Sequence, residues 1–122
     1  MKENIVFLFV DDSRVSRMKI RQLVERKFPT WVLHEAASGD EAQDVARRVM
    51  PDLVSMDINM PGINGFEAVA LLQTICPNAK MVLLSGNIQD SMHQKAADMG
   101  VGFVEKPITE ACIDKVAAVL ND

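Results

Sequence analysis

Short, wholly or mostly apolar runs alternate five times with amphipathic stretches along this chain, and few folds accommodate that order. Ile5 to Val10 holds six consecutive apolar residues. That is too short for an ordinary helix and apolar on both faces, as a central strand of a parallel sheet must be. Leu53 to Met56 and Met81 to Leu84 read the same way. Val32 to Ala36 and Phe103 to Glu105 are shorter or more polar, which suits edge strands.

Between these runs the apolar period changes to 3.6. Ile20, Leu23, Val24 and Phe28 form one stripe, and Ala42, Val45, Ala46 and Val49 a second. Phe66, Val69 and Ala70 follow, then Met92, Ala96 and Met99, then Ile113, Val116, Ala117 and Leu120. Ser38 with Glu41 predicts a capping box, Asp90 and Thr109 predict N-caps, and Gly100 predicts a C-cap. Pro29, Pro51 and Pro77 each follow a predicted helix as a stop signal.

Regular βα alternation in 122 residues predicts an α/β fold: a doubly wound, five-stranded parallel sheet with helices on both faces and right-handed crossovers. The flavodoxin-like strand order 2-1-3-4-5 fits best, because it centres the two most apolar early strands. Its switch point, where such sheets bind ligands, lies between the first and third strands. No linker, repeat or low-complexity stretch is legible, so residues 1–122 are expected to form one domain without a separate output domain.

Composition narrows the function. No apolar run approaches the roughly 20 residues a membrane-spanning helix needs, and the N-terminus lacks the pattern of a signal peptide, so a soluble, cytoplasmic protein is expected. A net charge of -4 with no basic tail argues against nucleic-acid binding, which depends on cationic contacts to phosphates. Cys76 and Cys112 form no CxxC pair and read as reduced thiols, while His34 and His93 lie too far apart to suggest zinc. Most of the eight methionines fall at core spacings and read as filler.

The informative residues stand where the predicted strands end: Asp11 and Asp12 after the first, Asp57 after the third, Ser85 after the fourth, Lys106 after the fifth. Taken singly, each has a plain structural use, in helix capping, at a strand end or in a turn. Parallel strands bring their carboxyl ends to one edge, where three carboxylates, a hydroxyl and an ammonium would share a crevice. Two carboxylates after the first strand would repel a bare phosphate, so a cation is required. Magnesium suits best, with manganese as an alternative, since it takes hard oxygen ligands and bridges carboxylates to phosphate oxygens. Asp57 is then the candidate nucleophile for an aspartyl phosphate, with Lys106 neutralising charge and Ser85 donating a hydrogen bond.

VDDS at 10–13, MDINMPGINGFE at 56–67, LLSG at 83–86 and FVEKP at 103–107 together resemble the receiver domains of two-component response regulators, of the single-domain chemotaxis type, over essentially the whole chain. That resemblance implies Asp57 as phospho-acceptor. Magnesium would be held by Asp12, more distantly by Asp11, by Asp57 and by the backbone carbonyl of Asn59. Ser85 and Lys106 would contact the phosphoryl group, with a cis bond between Lys106 and Pro107 aiming the lysine. Gly62 and Gly65 would shape the loop after the nucleophile. Asn59 and Asn87 fall where the family sets the lifetime of the phosphate. Phe103 would be the switch residue, on a partner surface that includes Lys95, Glu105 and Ile108.

Two positions depart from the commonest pattern: Ser85 stands where threonine is more frequent, and Phe103 where tyrosine is common. Phe103 can still rotate inward but offers no hydroxyl to a partner. The partners implied are a sensor histidine kinase or histidine phosphotransfer protein upstream and a target protein downstream. Chemotaxis, phosphorelay shuttling and control of an enzyme in trans all fit. The chain reads as a switch and not an enzyme, apart from catalysing its own phosphotransfer and hydrolysis. Alternatives are a constitutive pseudo-receiver or a receiver cut from a hybrid kinase. A haloacid-dehalogenase-type phosphatase would need Asp-x-Asp where this chain has adjacent aspartates. The cations Arg14, Arg17, Lys19, Arg21, Arg26 and Lys27, against Glu25 alone, read either as a solvated helix face or as a dock for an acidic surface.

Overall fold

A computed structural model describes residues 4–86 and 89–121. The elements alternate as predicted: β1 (Val6–Val10), α1 (Arg14–Lys27), β2 (Val32–Ala36), α2 (Gly39–Val49), β3 (Leu53–Asp57), α3 (Gly65–Ile75), β4 (Lys80–Ser85), α4 (Asp90–Met99), β5 (Gly102–Glu105) and α5 (Glu110–Ala118), then a 3-10 turn, Val119–Asn121. All strand pairs are parallel, in the order β2-β1-β3-β4-β5, so the chain has the flavodoxin-like doubly wound fold.

The sheet separates two apolar layers. On one face Phe7, Phe9, Leu53, Val82 and Leu84 pack against Ile20 and Val24 of α1 and Ile113 and Val116 of α5. On the other, Leu8, Val10, Val54, Met56 and Leu83 pack against α2, α3 and Ala96 of α4. Every residue of β3 is buried, as a central strand covered on both faces requires. Cys76 and Cys112 are free thiols in opposite layers, and burial pushes both above the usual thiol range.

Three local expectations shift. The full capping box joins Asn64 and Glu67 at the start of α3, whereas Ser38 supplies only an accepting hydroxyl for the Glu41 N–H. The N-cap of α4 is Gln89, and Asp90 sits in its first turn, where a carboxylate still favours the positive end of the helix dipole. In α3 the buried stripe is Phe66, Ala68, Val69 and Leu72, with Ala70 exposed. Thr109 and Gly100 cap as predicted, and α1, α2 and α3 end just before Pro29, Pro51 and Pro77. Among the described residues, no helix is long and apolar enough to cross a membrane.

Candidate functional site

The acidic loop after β1 owes its form to Ser13, which caps α1 by accepting the Ser16 N–H at 3.2 Å. Neither Asp11 nor Asp12 is used as the cap. Asp11 turns inward, its carboxylate accepting the Ser13 N–H at 2.8 Å, and is buried; Asp12 is exposed. Asp57 ends β3 only 4% exposed. One oxygen from each of Asp11, Asp12 and Asp57 lies within 4.8 Å of the others, at the switch point between β1 and β3.

Lys106 reaches this cluster from beyond β5. Its N–H donates to the Ser85 carbonyl at 3.0 Å, and the bond to Pro107 is cis. The ammonium lies 3.1 Å from Asp11 Oδ2 and 3.4 Å from Asp57 Oδ1. A long bond of 3.4 Å from the Asn59 N–H also reaches Asp57 Oδ1. The loop after Asp57 turns at Gly62, whose φ of +83° lies in the left-handed region. It returns with the Gly65 N–H donating to the Ile58 carbonyl at 3.1 Å.

The electrostatics are unbalanced. Burial first, and then the Asp11 charge, raise the Asp57 carboxyl above its usual range, and Lys106 opposes this only in part. For Lys106, burial is the largest influence and pulls its affinity for a proton down. The hydrogen bond and charge of Asp11, then those of Asp57, reverse this, so its net shift is upward. Three carboxylates against one ammonium leave an excess of two negative charges. An all-oxygen, net-negative donor set fits a hard divalent cation such as magnesium.

The other predicted residues lie around this centre. Ser85 is fully buried at the end of β4, one residue beyond the Leu84 that pairs with Asp57. Phe103 pairs with Leu83 and is half-buried, its ring 4.5 Å from that of His93 on α4. Glu105 is exposed beside Ser85, and Ile108 packs into the layer of α1 and α5. Phe103 belongs to the opposite layer, so these residues span the β5 edge from both faces. The Lys95 ammonium is directed to α3, 4.5 Å from the centre of the Phe66 ring. Asn87 lies outside the described residues.

Residues 7–118 match the sequence model of the response regulator receiver domain family. The chain belongs to that family. This receiver is 36% identical over 116 residues to "Protein CcdB" of Bacillus subtilis, covering 93% of this chain and 96% of that protein. It is 37% identical over 115 residues to the chemotaxis protein CheY of Thermotoga maritima, covering 93% and 92%. Among solved structures, chemotaxis protein CheY4 of Vibrio cholerae superposes with a TM-score of 0.86 over 96% of this chain and 98% of that one. At 23% identity, that likeness speaks for the fold. The family is one of signalling switches, not of enzymes in the ordinary sense.

Sequence reasoning did not foresee the partners that this receiver's α1 cations find within the chain. Arg17 donates to the Asp11 carbonyl at 2.7 Å, and Arg17 and Arg21 both pair with Glu35 of β2, each at 2.9 Å. Arg26 and Lys27 pair with Glu110 and Asp114 of α5. Four of the six α1 cations therefore have partners within the chain. A hint lay in Glu35, a carboxylate inside the β2 strand.

Proposed function

We propose that this receiver accepts a phosphoryl group onto Asp57 from a sensor histidine kinase or a histidine phosphotransfer protein, in a magnesium-dependent reaction. The observation that supports it is the Lys106 ammonium between Asp11 and Asp57, with the Asp12 carboxylate alongside. Asp11, Asp12, Asp57 and the Asn59 carbonyl would hold the metal, and manganese could take the same oxygen donors. The bound cation supplies the positive charge that lets phosphoryl oxygens approach carboxylates.

A carboxylate oxygen of Asp57 bonds to phosphorus while the bond from phosphorus to the donor imidazole nitrogen breaks, its electron pair staying on that nitrogen. The product is an acyl phosphate. Lys106 sets its positive charge beside the arriving oxygens, and the Ser85 hydroxyl donates to one of them. Asn59, exposed just past Asp57, would influence water attack on the acyl phosphate, as would Asn87 by the resemblance of its sequence position.

The new group brings about 1.5 to 2 negative charges. Drawing Ser85 toward them opens room for Phe103 to turn inward, and a population shift follows at α4, β5 and α5. Phe103, Glu105, Ile108 and Lys95 would present that change to a downstream protein.

Intact-protein mass after incubation with magnesium and acetyl phosphate tests the reading. One added phosphoryl group is expected on the parent, with none on Asp57→Asn and none when a chelator is present. An unmodified parent that also takes up no beryllofluoride would instead describe a constitutive binding module.

A further inference from the structure

The loop that carries Asp11 and Asp12 is held from the side as well as from within. The Asp11 N–H donates to the Ala36 carbonyl of β2 at 3.1 Å. The Asp11 carbonyl takes no part in α1, whose first backbone bond runs from the Arg17 N–H to Ser13. It is met instead by Arg17, whose Nη1 donates to it at 2.7 Å while its Nε donates to Glu35 Oε1 at 2.9 Å. Glu35 is itself fixed, because its second oxygen accepts from Arg21 Nε at 2.9 Å. The Arg17 side chain is 17% exposed, and a planar guanidinium held at two points has little freedom left.

The Asp11 carbonyl is half of the peptide unit that leads into Asp12. Fixing that plane sets the direction in which the exposed Asp12 side chain leaves the backbone. We propose that Arg17 is a positioning residue of the acidic site, orienting the Asp11–Asp12 peptide so that Asp12 converges with Asp11 and Asp57, with Glu35 and Arg21 aiming Arg17. The inference rests on the receiver reading for its purpose, but its geometry is independent of that reading.

Charge gives the test its direction. Removing a cation beside a metal site should, by charge alone, tighten cation binding. A loss of affinity on removing Arg17 therefore reports orientation. Magnesium binding would be titrated calorimetrically on the whole chain, with amide hydrogen exchange at Asp12 and Ser13 followed in chelator. Arg17→Ala is expected to weaken magnesium about 10-fold, the usual lower figure for losing a group that orients a metal ligand, and to speed exchange at both amides. Arg17→Lys, which replaces a planar fork with a point charge, recovers only part of the affinity. Arg21→Ala removes the same charge without touching the Asp11 carbonyl and loosens only Glu35, so any loss of affinity should be clearly smaller than in Arg17→Ala.

Parent-like affinity in Arg17→Ala, or an equal loss in Arg21→Ala, overturns the proposal. Should the parent itself bind no magnesium, the receiver reading fails separately. Exchange at Asp12 and Ser13 then decides the matter, and unchanged rates in Arg17→Ala overturn it.

Discussion

Asp57 is buried at the end of a central strand, yet the proposed phosphoryl transfer requires its ionised form. Burial and Asp11 both favour the protonated acid, and Lys106 recovers only part of the difference. A carboxyl whose folded pKa is raised contributes stability below its ordinary pKa of about 3.9 and loses it as pH rises through the raised value. At neutral pH, without metal, the ionised Asp57 therefore works against folding. Asp57→Asn keeps the shape and removes the charge, so its melting temperature in chelator should exceed the parent's by a few degrees at pH 7. The difference should shrink as pH falls through the raised pKa and the parent becomes neutral as well. Thermal melts across pH 4 to 8 check this, and a variant less stable than the parent at pH 7 would mean that attraction to Lys106 outweighs burial. Lys106, with its net upward shift, contributes stability that is lost only in the alkaline range, clear of that window.

At the scale of elements, the β3–α3 connection places Asp57 through Gly65. A Cβ there would sit 2.5 Å from the Asp57 carbonyl oxygen and 2.7 Å from the Ile58 Cα, and backbone atoms cannot yield as a flexible side chain can. Gly65→Ala should cost about 1–3 kcal/mol in urea unfolding and slow the proposed phosphorylation, because α3 must draw away from the peptide of Asp57. Gly62→Ala meets no atom within 4 Å and pays only for its positive φ, about 1 kcal/mol, so the reverse ranking would refute this account. Strands β1 and β4 were legible because burial on both faces leaves unbroken apolar runs, and the strand ends were legible because polarity returns abruptly at Asp11, Asp57, Ser85 and Glu105. Helix faces were read less well. Three apolar residues fixed α3's stripe poorly, so Ala68 and Leu72 were passed over for Ala70. The pairing of Arg17 with Glu35 could not be placed from the sequence, because it depends on how closely β2 approaches α1, and spacing along the chain does not encode that distance.

Across the whole molecule, the two layers grip their helices unequally. Helices α1, α2, α3 and α5 each bury at least two residues, whereas α4 buries only Ala96, with Met92 and Met99 partly covered. Its other described ties are peripheral: His93 against Phe103, Lys95 over Phe66, and the Gln73 side chain of α3 donating to the Met99 carbonyl at 3.0 Å. An element with few buried contacts opens at low free energy, so α4 should show the fastest amide exchange of the five helices in magnesium alone. The site lies at one end of the sheet, and on the proposed reading its effect crosses β4 and β5 to reach the face around Phe103 and α4. Ser85 and Phe103, on adjacent strands and two residues apart in register, supply the shortest route. Adding beryllofluoride to the magnesium-bound chain should therefore change exchange chiefly over residues 90–105, leaving α1 and α2 nearly as before. In Phe103→Ala the change should persist at Ser85 and fade in α4. A response spread evenly over all five helices would instead mean that the site stabilises the sheet as a whole, with no preferred path to β5 and α4.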